Sequence, residues 1–175
     1  MSETDESPYL IEPFDKKRHD RSNFSCGIES LDRYLHKQAS QDRKRRIAAP
    51  FVLVKEGQPD VLGYYTLSAF SIYLEDLPVD LAQRLPHYPD VPATLLGRLA
   101  VDQKWQGKGL GEFLLMDALS RSLNQANKIA SFALVVDAVN ENARNFYLYF
   151  GFQPFLDRPD RLFLPMKTIE QLFSK

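Results

Sequence analysis

Residues 106–111 read Gln106-Gly107-Lys108-Gly109-Leu110-Gly111, between an apolar segment that ends at Val101 and a helical apolar pattern that begins near Leu110. A strand, a glycine-rich turn and a helix start leave several backbone N–H groups without internal partners, and such groups attract an anion. Two nucleotide signatures fail at this turn. The phosphate-binding loop needs four residues between its first Gly and Gly-Lys, then Ser or Thr; here Leu110 follows Gly109. The dinucleotide fingerprint opens a βαβ unit near the start of a domain, whereas this turn lies beyond the midpoint of 175 residues. A third reading is a diphosphate held by the turn in an acyl-transfer enzyme, beside an ordinary Gly-rich turn between strand and helix.

Working outward, residues 94–101 read as a strand and 109–124 as a helix that buries Leu110, Phe113, Leu114, Ala118 and Leu119. The nearly unbroken apolar run at 129–136 predicts a central strand covered on both faces. Asn140 is placed to cap a helix whose stripe is Ala143, Phe146, Tyr147 and Phe150, and Gly151 suits its left-handed end. Residues 152–155 and 161–166 supply a last strand pair. Towards the N-terminus, residues 1–8 read as disordered and 9–12 as an edge strand. Ser25 is placed to cap a helix over 28–40 with Ile28, Leu31, Leu35 and Ala39 on its apolar side. Strands at 47–54 and 61–73, joined by a turn at 57–60, form a hairpin. Residues 75–93, with Pro78, Pro86, Pro89 and Pro92, make a semi-rigid excursion holding a short helix at 79–84. The predicted fold is a mixed α/β sheet in one domain over residues 9–175.

Composition narrows the class. Apolar residues make up 44% of the chain and charged residues 26%, as in ordinary globular domains. No apolar run is long enough to cross a bilayer, and the acidic, polar start is unlike a signal peptide, so the expected location is the cytoplasm, with no membrane partner. The lone Cys26 excludes an internal disulfide, and the His and Cys positions show no metal-ligand spacing, so no metal is expected. A net charge of −1 does not mark a general nucleic-acid binder. The basic residues are nevertheless gathered: Arg43, Lys44, Arg45 and Arg46 are consecutive, with Lys37 shortly before them. Such a run either steers a polyanion to one face or is a solvated helix end.

The turn and the later segment together carry a resemblance. Gln106, Gly109 and Gly111 match the diphosphate motif of the GNAT-fold N-acetyltransferases. Asn140, Ala143, Phe146, Tyr147, Gly151 and Phe152 match that family's second segment, in the right order. Phe24-x-Cys26-Gly27 with Leu31, Tyr34 and Leu35, the segment 63–68, and 96–102 (Leu-Gly-Arg-Leu-Ala-Val-Asp) resemble the acetyltransferase toxins of bacterial type II toxin–antitoxin pairs. The resemblance covers about residues 9–167.

It implies a mixed central sheet with a splayed strand pair, flanked by helices, and acetyl-CoA as the acyl donor. The acceptor would be the free α-amino group of an aminoacyl-tRNA, whose blocking stalls translation. Implied partners are a small ribbon–helix–helix antitoxin, operator DNA through the antitoxin complex, and a second copy of the chain. By the same resemblance the amides of Gln106, Gly107, Lys108, Gly109, Leu110 and Gly111 hold the diphosphate. The backbone of Leu99, Ala100 and Val101 pairs with the pantetheine arm. Asn140 lies near the pantetheine, caps its helix, or does both. Tyr147 is the expected catalytic acid, with Tyr149 facing away. Lys37, Arg43, Lys44, Arg45, Arg46 and Arg98 are the candidate tRNA contacts; Arg98 has a structural ion pair as its alternative. Cys26 reads as a small buried residue, and His87 and Tyr88 as packing for the proline-rich excursion, with lining of the acceptor site as their alternative. A GNAT enzyme acting on a protein N-terminus, a polyamine or another small amine is the competing expectation, and a non-catalytic acyl-CoA sensor the third.

Overall fold

Seven strands among the described residues build one mixed sheet. They are β1 (Tyr9–Pro13), β2 (Ala49–Lys55), β3 (Gly63–Tyr73), β4 (Asp90–Val101), β5 (Ala133–Asp137), β6 (Gln153–Phe155) and β7 (Arg158–Pro165), in spatial order β1-β2-β3-β4-β5-β7-β6. The helices are α1 (Glu29–Arg33), α2 (Ala39–Arg45), α3 (Val79–Ala82), α4 (Leu110–Ala126), α5 (Glu141–Tyr149) and α6 (Met166–Phe173). The structure, a computed structural model, describes residues 8–174. The expected disordered stretch at 1–8 lies outside these residues except for Pro8, whose carbonyl accepts a 2.9 Å hydrogen bond from the Glu56 amide. No helix among the described residues is long and apolar enough to cross a membrane.

The chain falls into two compact units, one of residues up to Thr66 with Arg98–Asp117, the other of Leu67–Gly97 with residues from Ala118 onward. In the first, β1 lies at the sheet edge and pairs antiparallel with β2, Tyr9 opposite Lys55 and Pro13 opposite Phe51. Its core gathers Phe14, Phe24, Leu31, Tyr34, Leu35, Ala39, Val52, Val54, Tyr64 and Ala100. Leu31, Leu35 and Ala39 are buried as the helical spacing predicts.

Three sequence expectations in this unit need correction. Ser25 caps no helix: its amide donates to Asp102 Oδ2 at 3.0 Å, and the N-cap position is Ile28, without a side-chain bond. Asp32 does the local work instead, its Oδ1 accepting the Cys26 amide at 2.7 Å. The single helix expected over 28–40 is two helices joined by a π-helical turn, Tyr34–Gln38, in which the Ala39 amide bonds back to the Tyr34 carbonyl. The helix then continues to Arg45, beyond the polar residues that end the apolar periodicity, because Asp42 is buried and bonded rather than solvated. Arg46 closes it in the left-handed region at φ 57°.

In the second unit, β4 pairs parallel with β5 through Thr94 with Leu134, Leu95 with Val135 and Leu96 with Val136. β5 pairs antiparallel with β7, and β7 with β6. The strand expected over 129–136 begins only at Ala133: Ala133, Leu134, Val135 and Val136 are fully buried, as a two-sided central strand requires, whereas Ile129 is exposed ahead of it; full burial of a Val or Leu side chain contributes about 1.5–3 kcal/mol. Met166 starts α6 rather than ending a strand; Pro165, the last residue of β7, stands at its N-cap position in extended conformation.

Helix α4 runs from the first unit into the second and buries Leu110, Leu114, Leu115, Ala118, Leu119 and Ser122. Phe113, expected on this face, is exposed; its ring lies 6.5 Å from that of Tyr9. At 100° per residue the buried arc centres near Ala118, and Phe113 falls outside it.

Candidate active site and acceptor surface

The turn is braced from below. Asp102 is buried and works with both oxygens: Oδ2 takes the Ser25 amide at 3.0 Å and Oδ1 the Lys104 amide at 2.9 Å. The Trp105 amide returns to the Asp102 carbonyl at 2.9 Å. Gln106 then uses its side chain as a staple, Nε2 donating to the carbonyls of Cys26 at 3.1 Å and Val101 at 2.9 Å. Its side chain is therefore engaged with protein, which leaves its backbone for any ligand.

Gly107 and Gly109 have φ of 81° and 78°, a region that L side chains avoid. A Cβ built on either would meet nothing within 4 Å, so the space beside the turn is open. Lys108 is exposed, with its Nζ 4.8 Å from the Trp105 ring centroid, and Lys55 Nζ lies 5.0 Å from the same ring. Leu110, buried, begins α4, whose first amides have no intrahelical acceptor.

Leu99, Ala100 and Val101 lie at the end of β4, beyond its register with β5. Ala100 is buried and its neighbours are half-buried. Sequence reading missed Gly63 here. A Cβ on it would stand 2.9 Å from Leu114 Cδ1 and 3.0 Å from the Ala100 carbonyl oxygen, so only glycine lets β3, β4 and α4 approach this closely. A glycine opening a strand of Tyr and Thr was the available signal.

Helix α5 has its own start. Asn140 Oδ1 accepts the Ala143 amide at 2.8 Å, the cap that the sequence predicts. The helix ends with the Gly151 amide on the Leu148 carbonyl and the Phe152 amide on the Tyr147 carbonyl, at 3.0 and 3.1 Å, with Gly151 at φ 95°. Of its aromatic residues only Tyr147 is buried, with its ring set edge-on to Phe146 and Phe152, each 5.3 Å away. Burial pushes its phenol pKa up, so the group keeps its proton throughout the neutral range. Tyr149 faces outward, 83% exposed.

The basic run is displayed on α2. Arg43, Lys44 and Arg45 fill its last turn, where the helix dipole favours cations, and all four residues to Arg46 are exposed, as is Lys37. Arg98 is different. It forms no ion pair among the described residues; its guanidinium carbon lies 3.5 Å from the centroid of the Tyr34 ring. The ion pair expected as its alternative role is therefore replaced by a cation–π contact. Cys26 is buried and its thiol is pushed up to about 11, chiefly by desolvation, so it stays protonated near neutral pH. His87 and Tyr88 are exposed rather than packed, on the rim of a 610 Å³ hollow with Tyr73 and Leu77. No cluster of His, Cys, Asp or Glu able to hold a metal occurs among the described residues.

This strand, turn and helix lie within residues 51–154, which match the acetyltransferase (GNAT) domain family. The chain belongs to that family. Similarity reaches beyond the domain. A tRNA-acetylating toxin of Mycobacterium tuberculosis is 39% identical over 89% of this chain and 91% of the relative. A probable toxin TacT of Sinorhizobium fredii is 32% identical over 99% of this chain and its own full length. Among solved structures, AtaT complexed with acetyl-methionyl-tRNAfMet superposes with a TM-score of 0.88 at 32% identity, covering 95% of this chain and all of AtaT. A tyrosine-to-phenylalanine mutant of AtaT, bound to acetyl-CoA and the C-terminus of the antitoxin AtaR, gives 0.81 at 29% identity over 95% of this chain and 99% of the other. The AtaT–AtaR complex bound to DNA gives 0.77 at 31% identity over 94% and 99%.

Proposed function

We propose that this GNAT enzyme transfers the acetyl group of acetyl-CoA to the free α-amino group of an aminoacyl-tRNA, and that it is the toxin of a type II toxin–antitoxin pair. The observation that carries the reading is the similarity of nearly the whole chain to the tRNA-acetylating toxin and to AtaT in complex with its acetylated tRNA. The residues fit the donor: two glycines at positive φ face open space at a helix start, where a diphosphate would sit.

Acetyl-CoA, when bound, supplies an activated thioester carbonyl and a thiolate leaving group. The chain does the rest. Amides from Gln106 to Gly111 hold the diphosphate, with Lys108 as a nearby positive charge. Each helix-end charge interaction contributes about 0.3–1 kcal/mol when exposed and up to ~2 when partly buried, so several amides together outweigh one side chain. The backbone of Leu99, Ala100 and Val101 aligns the pantetheine arm, and an amide of this strand stabilises the developing oxyanion. As the new C–N bond forms and the C–S bond breaks, the Tyr147 phenol gives its proton to sulfur. A strong base is not needed: a free α-amine has a pKa of about 8 and an adjacent ester lowers it, so much of the acceptor is already neutral. Its surplus proton passes to water, and the Tyr147 phenolate takes a proton back from water, so the phenol is restored and CoA leaves as the thiol. Asn140 holds the start of α5 and adds a polar group toward the pantetheine. Lys37, Arg43, Lys44, Arg45, Arg46 and Arg98 contact tRNA phosphates, which orients the acceptor arm without reading sequence.

In this reading the chain is one domain over 9–175, working in the cytoplasm. Its partners are a ribbon–helix–helix antitoxin, operator DNA through that antitoxin, and a second copy of itself. The test is incubation of the purified protein with isotopically labelled acetyl-CoA and total aminoacyl-tRNA, followed by mass spectrometry of the 3′-linked amino acids. N-acetylated amino acid is expected. Label on proteins or small amines, with clean tRNA, would overturn the reading in favour of another amine.

A further inference from the structure

Arg98 is a half-buried cation with no anion of its own. Its guanidinium stacks on Tyr34 at 3.5 Å and makes no hydrogen bond or ion pair among the described residues, although it carries five N–H donors. Several acidic groups of the same unit are engaged elsewhere. Asp42 accepts the Tyr34 hydroxyl and Gln38 Nε2, each at 2.9 Å. Asp32 accepts the Cys26 amide, and Asp102 the Ser25 and Lys104 amides. Glu29 pairs with Arg33, and Glu12 with Arg18 and His19. Partial removal of a charge from water is unfavourable unless an opposite charge compensates it.

The platform under Arg98 is rigid. Tyr34 is buried, stacks on Tyr64 with 6.1 Å between centroids and 15° between planes, and is tied at its hydroxyl to Asp42. Tyr64 is fixed in turn by a 2.6 Å bond from its hydroxyl to the Leu31 carbonyl. A guanidinium stacked through its face keeps its N–H edge available for a fork onto phosphate oxygens, which a lysine ammonium cannot imitate. Arg98 directly precedes Leu99, and Asp42 directly precedes the basic run. Tyr34 thus links the strand proposed to align the donor with the surface proposed to meet tRNA.

We infer that the Tyr34 ring presents the Arg98 guanidinium edge to a backbone phosphate in the acceptor's 3′-terminal nucleotides, and that Asp42 locks the ring, making Tyr34 and Asp42 positioning residues for phosphate-bearing acceptors. This rests on the proposed aminoacyl-tRNA reaction. Unlike the exposed run, the contact is half-buried and therefore weakly screened by salt.

The test compares two acceptors, a short 3′-terminal oligonucleotide carrying an esterified amino acid and the same amino acid esterified to adenosine with no phosphate. The readout is the ratio of kcat/KM for the first over the second. Arg98→Lys keeps the charge and removes the fork; Tyr34→Leu removes the platform; Tyr34→Phe removes only the lock. The ratio is expected to fall about tenfold or more in Arg98→Lys and Tyr34→Leu, and less in Tyr34→Phe. A merely structural role would lower both acceptors together and leave the ratio where it was. If Tyr34→Leu loses its cooperative melt in circular dichroism, the other two variants decide. A wild-type protein active on both acceptors, with the ratio unchanged in Arg98→Lys, overturns this inference alone. A wild-type protein inactive on both overturns the proposed reaction and this inference with it.

Discussion

Helix α5 begins behind Asn140, whose carboxamide oxygen takes the Ala143 amide at 2.8 Å; helix α4 begins behind Gly109, which has no side chain to offer. Both helix starts carry the same partial positive charge and the same surplus of amides. At α5 the protein supplies an acceptor, and the helix presents a buried tyrosine. At α4 the preceding glycines turn the backbone through positive φ beside open space. A helix start that the chain caps for itself is structural, and one it leaves open is available to an anion. The proposed division of labour follows: α4 binds donor and α5 performs proton transfer.

The largest effect should come from Tyr147→Phe. Loss of the phenolic proton is expected to lower kcat by about 10²–10⁴-fold while calorimetry finds acetyl-CoA affinity nearly unchanged. A parallel loss of affinity would break the division between the helices. Next is Gly109→Asn, which places the device of α5 at α4. Asn tolerates the left-handed region, so the fold should persist, but its side chain competes for the amides. Acetyl-CoA affinity should drop about tenfold or more, with the melting temperature little changed.

Neutralising Arg43, Lys44, Arg45 and Arg46 probes the opposite helix pole, the carbonyl end of α2. The slope of log affinity for tRNA against log salt should flatten by roughly 0.7–0.9 for each phosphate no longer neutralised. An unchanged slope would remove the run from the acceptor surface. Asn140→Ala should cost about 1 kcal/mol of stability in chemical denaturation. If it also lowers acetyl-CoA affinity as far as Gly109→Asn does, the two helix starts are not distinct in role.

A last variant, Glu12→Gln, serves as a control away from both helices. Glu12 sits 2.6 Å from His19 Nε2, and this hydrogen bond first, then Arg18, holds its carboxyl below the usual range. A depressed carboxyl adds stability above its unfolded pKa of about 4.3 and loses it as pH falls through the folded value. The stability gap between wild type and Glu12→Gln should therefore close as pH falls below about 4.3, with the proposed activities near neutral pH unaffected.

Much of this architecture is legible from local pattern. The turn, the Asn140 cap, the Gly151 ending and the buried 133–136 strand each depend on residues near one another in sequence. What escaped depends on distant partners. Ser25 reads as a cap until Asp102, 77 positions away, claims its amide. Gln106 reads as a ligand contact by its amide, and only the fold shows that its side chain is engaged with the Cys26 and Val101 carbonyls. The crowding at Gly63 comes from Leu114 and Ala100. Phe113 looks buried when only its apolar neighbours in sequence are weighed, and the α4 face turns it outward. Arg98 was legible as a cation, but its stacking on Tyr34 required the fold.

The π-helical turn at Tyr34–Gln38 behaves as one surplus residue wound into an otherwise regular coil. Its removal would let α1 and α2 fuse without interruption. Every side chain downstream would then rotate by about 100° around the axis. The tyrosine hydroxyl would part from its carboxylate, and the cationic cluster would swing toward a new compass bearing. A one-codon deletion there could therefore preserve net charge and helical content while aiming the positive face away from the proposed tRNA surface.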